Sequence, residues 1–223
     1  MIYLLPHPCD LNWDDETSFD CLLPESRLQK ALRYVHMSDR LLCRKAYFLL
    51  CYALSDSHQI PFGVRLSCDS HKKPYLTDYP KIHFNFAHCK DGIIVSLSST
   101  ETGADIETIT SYDYRHMLNL LSASEQNLLR HSKQADTDFT AIWTLKEAYG
   151  KYRGTGIIYD LAANSFTPHY NEWHSQDNLL FYTSILGSTV YSVCRKDSSN
   201  IAVIEDALLT KFLTQSGYKL RLS

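Results

Sequence analysis

The same order of short apolar runs and helical periods comes round twice in this chain, and the two rounds meet near Thr100–Gly103 with no linker between them. In the first round Ile2–Leu5 reads as a short strand. Leu28, Ala31, Leu32 and Val35 then have helical spacing, which predicts a helix over about Glu25–Val35. Ser38 or Asp39 is placed to cap a second helix that ends near Leu54, before the break at Pro61-Phe62-Gly63. Val64–Ser67, Ile82–Ala87 and Ile93–Ser98 follow as strands, the last two joined by a turn at Asp91-Gly92. In the second round Ala104–Ile109 is extended, and helices are predicted over Tyr112–Leu121, Ala123–His131 and from Asp136 or Thr137 to about Gly154. The remaining strands are expected near Phe166, Leu179–Leu186, Thr189–Cys194 and Ile201–Ile204, with a turn at Gly187-Ser188. No residue-level repeat is visible, so any duplication is one of element order. The expectation is an α+β protein with halves 1–102 and 103–223 packed as one globular unit.

Composition supports a folded chain and narrows its partners. Of 223 residues 44% are hydrophobic and 12% aromatic, enough to exclude a disordered, collagen-like or coiled-coil chain. Lys+Arg 22 against Asp+Glu 25 gives a net charge of −3, which excludes a globally basic nucleic-acid binder but not a local basic patch. No run approaches the ~18 apolar residues of a membrane span. The start, MIYLLPHP, lacks the basic region of a signal peptide. The seven cysteines are irregularly spaced with no CxxC, which signals neither a zinc ribbon nor a thioredoxin-type site. They are expected to be buried free thiols in a cytoplasmic protein.

Three blocks carry chemistry. On a strand, Gly103-Ala104-Asp105-Ile106-Glu107 turns Asp105 and Glu107 to one face and Ala104 and Ile106 to the other. Carboxylates whose Cα atoms lie ~6–7 Å apart can converge on one hard cation such as Mg²⁺; the same pair also suits a solvated strand edge. In Trp143-Thr144-Leu145-Lys146-Glu147-Ala148-Tyr149-Gly150-Lys151, a helix aligns Trp143, Glu147 and Lys151, while Leu145, Ala148 and Tyr152 form an apolar stripe. Glu147 and Lys151 read either as an i,i+4 surface pair worth ~0.2–0.5 kcal/mol or as a third carboxylate with a lysine for a phosphate. Phe84 and Phe86 share a strand face, and His88 ends that strand. His88 reads as a structural histidine or an anion contact, and with His83 it completes no zinc site. Arg27-x-x-Lys30 and Lys72-Lys73-Pro74-Tyr75-Leu76 are the other cationic groups, and Ser122-Ala123-Ser124-Glu125 has the form of a capping box.

Taken in order, these blocks and the glycine pair of Gly154-Thr155-Gly156-Ile157 resemble the 4′-phosphopantetheinyl transferases of the two-halved Sfp type, over about Pro24–Ile157. The resemblance implies a pseudo-dimer of similar α+β halves with the site in the cleft between them. It implies that coenzyme A binds with Mg²⁺ (Mn²⁺ is the alternative) and that a serine hydroxyl of an apo acyl or peptidyl carrier protein attacks its β-phosphate. Phosphopantetheine is transferred and adenosine 3′,5′-bisphosphate leaves. It implies Asp105, Glu107 and Glu147 as metal ligands, Glu147 as general base and Lys151 at the leaving α-phosphate. Arg27, Lys30, Lys73 and His88 would hold the nucleotide phosphates. Carriers of this kind are acidic around the serine, so Tyr149, Tyr152 and Arg153 are the expected docking patch. Arg40 and Arg44 are neighbours without a firm match, and Glu125 is open between helix cap and metal-site accessory.

Ala87 stands where the family often has serine, which removes a hydroxyl contact to the cofactor. Ala104 replaces a larger aliphatic residue on the face turned from the metal. A monomer is expected, with no nucleic-acid or membrane partner. The competing readings are a Mg²⁺-dependent phosphodiesterase or nuclease, disfavoured by the missing basic track, and a non-catalytic carrier-protein binder, disfavoured by the intact carboxylates and Lys151.

Overall fold

The computed structural model describes residues 1–9, 17–111, 114–155 and 162–221. In chain order the elements are β1 (Ile2–Pro6), α1 (Glu25–Leu32), α2 (Met37–His58), β2 (Leu66–Cys68), β3 (Pro74–Leu76), β4 (His83–Cys89), β5 (Gly92–Ser98) and β6 (Thr102–Thr108). There follow α3 (Ala123–His131), α4 (Ala135–Arg153), β7 (Trp173–Gln176), β8 (Leu179–Leu186), β9 (Thr189–Arg195), β10 (Ile201–Val203) and α5 (Asp206–Arg221). Short 3₁₀ turns cover Asp20–Leu22 and Tyr114–Leu120. No helix among the described residues is long and apolar enough to cross a membrane.

Two four-stranded sheets, β10-β1-β5-β4 and β6-β9-β8-β7, lie face to face, and β2-β3 is a separate hairpin. Strand alternation decides which side chains meet. Tyr3, Leu5, Phe84, Ile93, Val95 and Leu97 turn outward to α2, whose residues from Leu42 to Leu54 are almost continuously buried. Ile2, Leu4, Ala87 and Ile94 turn inward and meet Ala104, Ile106, Tyr191 and Val193 of the second sheet. Phe181 and Cys194, joined by Phe166 and Leu179, face Leu145 and Ala148 of α4. The layers therefore run helix, sheet, sheet, helix, each half being a sheet with a long helix on its outer face.

Polar contacts fix the seam between the sheets. The Ala104 amide donates to Asn85 Oδ1 at 3.0 Å, Thr102 and Ser96 hydroxyls lie 2.7 Å apart, and buried Arg195 donates to the Leu97 carbonyl at 3.2 Å. These groups would be costly to bury unpaired.

The end of the chain departs from the division at residues 102 and 103. β10 pairs in parallel with β1, Ile2 opposite Ile201, and α5 packs Leu209 and Leu213 into the first core with α2. The second layer thus ends near residue 195, because the outer edge of β1 is covered by the returning chain. α5 itself was not among the expected elements. β3 and β7 likewise have no counterpart among the expected elements, and Phe166 lies in a non-strand segment rather than a strand.

Other boundaries shift for local reasons. α1 stops at Leu32, so Val35 is 83% exposed and outside it. The N-cap of α2 is His36, without a side-chain cap, which places Ser38 and Asp39 inside the helix. The helix expected at Tyr112–Leu121 is a 3₁₀ turn where described, its first residues lying outside the described set. Gly156 and Ile157 also lie outside it. Cys43, Cys51 and Cys194 are buried and Cys89 is half-buried, whereas Cys9, Cys21 and Cys68 are exposed because they sit on a loop, a 3₁₀ turn and a short strand.

Candidate active site

The alternation of β6 sends Gly103, Asp105 and Glu107 toward α4. The helix comes close because residue 103 has no side chain: a Cβ there would sit 2.0 Å from the Ala148 carbonyl oxygen and 2.4 Å from the Tyr152 amide nitrogen. This approach brings Lys151 over the strand. Its Nζ donates to Asp105 Oδ1 at 2.5 Å, so Lys151 pairs across the layers rather than with Glu147 one turn back.

Asp105 is 3% exposed, and its Oδ2 is buried with no hydrogen-bond partner. Burial pushes its carboxyl up against the pull of Lys151. Burial and the Asp105 charge push both Glu107 and Glu147 up to about 7, with Lys151 opposing; Glu147 adds a further push on Glu107. The three carboxylates thus share one electrostatic neighbourhood, as the alternation of β6 and the helical spacing of α4 require.

These residues fit a divalent cation by chemistry. The donors are hard oxygens, one lone-pair-bearing oxygen is orphaned in the interior, and mutual repulsion would be relieved by positive charge. Among the described residues no three carboxylate, imidazole or thiol groups stand close enough to enclose an ion as they are. Asp105 is meanwhile neutralised by Lys151.

The first half supplies a wall of basic side chains and a neutral imidazole. His88 is the last residue but one of β4, and burial together with Lys30, Lys151 and Arg27 pushes its imidazole down to about 4. Lys30 is exposed on α1. Arg27 is 7% exposed and turned inward, donating to the Cys43 carbonyl at 3.0 Å, with its guanidinium 5.3 Å from the Phe86 ring centroid. Its Nε is buried without a partner. Lys73 belongs to the β2–β3 hairpin and reaches the end of α4, donating to the Tyr152 carbonyl at 3.3 Å and to Glu101 at 2.5 Å.

The expected docking residues divide. The Tyr149 ring packs on Phe166 and Phe181, and Tyr152 lies partly buried beside them, because both continue the apolar stripe of α4. Arg153 is exposed. Trp143 lines a cavity of about 220 Å³ with Phe139, Thr140, Met117, Thr108 and Glu107, so an apolar recess opens beside the carboxylates. A larger cavity, about 660 Å³, is lined by Ser98, Trp173 and Arg195 together with Met1 and the end of α2, and holds none of the candidate site residues.

Glu125 is both cap and buried ion-pair partner. Its Oε2 accepts from the Ser122 amide at 2.7 Å, closing the capping box, and lies 2.9 Å from Lys146 Nζ; its Oε1 accepts from the Phe166 amide at 2.8 Å. Lys146 also donates to the Asn164 carbonyl at 2.6 Å. Lys146 went unremarked in the sequence, although it lies on the helix face of Phe139 and Ile142, where a charge requires a partner. Glu101 gave no such signal.

Residues 101–204 match the family described as the 4′-phosphopantetheinyl transferase superfamily, a little under half of the chain. The chain is 28% identical over 159 residues to the 4′-phosphopantetheinyl transferase Sfp of Bacillus subtilis (strain 168), covering 70% of each. It is 29% identical over 127 residues to psf-1 of Bacillus pumilus, 56% of this chain and 54% of that protein. It is 27% identical over 145 residues to gsp of Aneurinibacillus migulanus, 64% of this chain and 60% of that protein. Both of these carry the same transferase name.

Proposed function

We propose that this chain, similar to the Sfp-type 4′-phosphopantetheinyl transferases, transfers the 4′-phosphopantetheine moiety of coenzyme A to a serine of an apo carrier protein. The observation that carries the reading is the buried Asp105 with an orphaned Oδ2, flanked by Glu107, Glu147 and Lys151 in a cleft whose other wall is His88, Lys30 and Arg27.

Asp105, Glu107 and Glu147 would hold the divalent cation, Mg²⁺ or Mn²⁺, which when bound would supply charge neutralisation at the pyrophosphate and polarisation of the phosphorus. Glu147 accepts the serine proton, directly or through a water. The serine oxygen forms its bond to the β-phosphorus as the bond to the bridging oxygen breaks. Adenosine 3′,5′-bisphosphate carries that oxygen away. Lys151 stabilises the charge developing on the departing α-phosphate. Lys30, Lys73, Arg27 and His88 hold the nucleotide phosphates.

The apolar recess at Trp143 and Phe139 suits the pantetheine arm. Arg153 is one docking contact for an acidic carrier, supported at its base by Tyr149 and Tyr152. A second is the corner between α1 and α2, where Leu32, Val35 and Met37 are exposed beside Lys30 and Arg33. Its charge complements an acidic partner, and it adjoins His88 through Lys30.

The test is intact-mass spectrometry on a panel of apo carriers incubated with the protein, coenzyme A and MgCl₂, with and without EDTA. A phosphopantetheine-sized gain abolished by EDTA establishes the reaction. Coenzyme A binding without transfer supports the binding-only alternative, and neither binding nor transfer refutes the reading.

A further inference from the structure

Glu101 stands one residue before β6 and joins three separate pieces of the molecule. Its Oε2 lies 2.5 Å from Lys73 Nζ and its Oε1 lies 2.9 Å from His83 Nδ1, while the same Lys73 Nζ donates to the Tyr152 carbonyl at 3.3 Å. The hairpin carrying Lys73 is itself stiffened, since Asp69 Oδ1 accepts from the amides of both His71 and Lys73. The Lys73 side chain is 15% exposed, so its ammonium has given up most of its water. A lysine has three N–H donors, and two are spoken for. The third is left for a ligand at the seam, in a cavity of about 150 Å³ that Lys73, Glu101 and His83 line together.

We infer that Glu101 is the positioning residue for Lys73, its carboxylate bridging Lys73 Nζ and His83 Nδ1 so that the ammonium is held against the end of α4 with one N–H directed to an anionic group of the substrate. A four-carbon stem with free rotation would otherwise lose considerable side-chain entropy on meeting a phosphate. Glu101 removes that loss beforehand, at the cost of placing one negative charge nearby. The part of this inference that concerns the substrate's phosphate rests on the proposed transferase function. The Glu101–Lys73 contact does not.

The experiment has two arms on the full chain, with Glu101→Ala, the conservative Glu101→Gln, Lys73→Ala and the double variant Glu101→Ala/Lys73→Ala, each checked for wild-type thermal unfolding. The first arm needs no substrate: reductive methylation followed by peptide mass spectrometry, reading Lys73 against exposed Lys81. Lys73 should be modified slowly in the wild type and several-fold faster in Glu101→Ala, with Glu101→Gln between them. Equal Lys73 rates in all three overturn the inference.

The second arm measures coenzyme A binding and transfer kinetics with MgCl₂. Glu101→Ala should weaken coenzyme A binding ~5-fold, the scale of one partly exposed charged contact, and raise KM while leaving kcat within about twofold. Lys73→Ala should do the same, and the double variant should be no worse than Lys73→Ala alone. Additive losses would mean that Glu101 acts independently of Lys73, and tighter coenzyme A binding in Glu101→Ala would mean that the carboxylate competes with substrate; either overturns the inference. Wild-type protein that binds no coenzyme A refutes the transferase reading, and the labelling arm still decides whether Glu101 holds Lys73.

Discussion

Replacing Gly103 with alanine tests whether the contact of β6 with α4 sets the spacing of the site. The new Cβ would lie 2.0 Å from the Ala148 carbonyl oxygen and 2.4 Å from the Tyr152 amide nitrogen. Both are helix backbone atoms, so no side-chain rotation relieves the clash, and α4 must retreat by about 1 Å or more to regain ordinary contact. Overpacking of this kind costs ~1–3 kcal/mol. At this chain length each kcal/mol lowers the melting temperature by roughly 2–4 °C.

The retreat also opens the 2.5 Å contact between Lys151 and Asp105 and carries Glu147 away from β6. A misplacement of ~1 Å in a catalytic constellation is worth ~10²-fold in rate. Gly103→Ala should therefore keep its far-ultraviolet circular dichroism, melt about 5 °C lower, and lose ~100-fold in kcat for phosphopantetheine transfer followed by carrier mass. A variant with wild-type melting and wild-type kcat would show that the approach of helix to strand does not govern the site.

Glu125→Ala leaves the Lys146 ammonium buried without its carboxylate, and should lose ~3–5 kcal/mol in urea unfolding; a loss below about 1 kcal/mol would assign Glu125 to something other than this pair. For His88 the folded pKa of about 4 lies below the ordinary 6.5, so the unfolded chain binds more protons between those values. Its contribution to stability is then full above 6.5 and lost as pH falls through about 4. His88→Gln should flatten that part of the unfolding free energy against pH, and an unchanged profile refutes the assignment. Arg153→Glu and Val35→Asp should each raise KM for the carrier and leave coenzyme A affinity alone; a carrier KM that does not move removes the residue in question from the docking surface.

The chemistry-bearing segments were legible because strong local rules wrote them. Alternation along Thr102–Thr108 put both acids on one side, and the 3.6 period carried Glu147 and Lys151 over them. What the sequence hid is how these segments meet. Nothing local says that Lys151 finds Asp105 rather than Glu147, or that Lys73 crosses to Tyr152, since both contacts depend on how sheet and helix stack. Glu101 looks like any loop acid until its neighbours arrive from two other elements. The difference at α5 is of another kind: Leu209, Phe212, Leu213 and Ser216 do have helical spacing, yet the expected elements end at Ile201–Ile204. Lys146 was legible in principle, as a charge aligned with apolar residues.

The pairing of β1 with β10 makes the two-fold look of the molecule misleading as a guide to dissection. Ile2 finds Ile201 only after nearly the whole chain has been threaded between them, a contact of the highest sequence separation and so among the slowest to be gained. Until it forms, β1 presents bare amides and carbonyls along one side, and an apolar face of α2 waits for Leu209 and Leu213. A fragment cut at residue 102 would carry that open edge permanently and be prone to sticking to its own copies. Two matching halves in outline are thus a single unit in assembly: the last strand and helix close the first half.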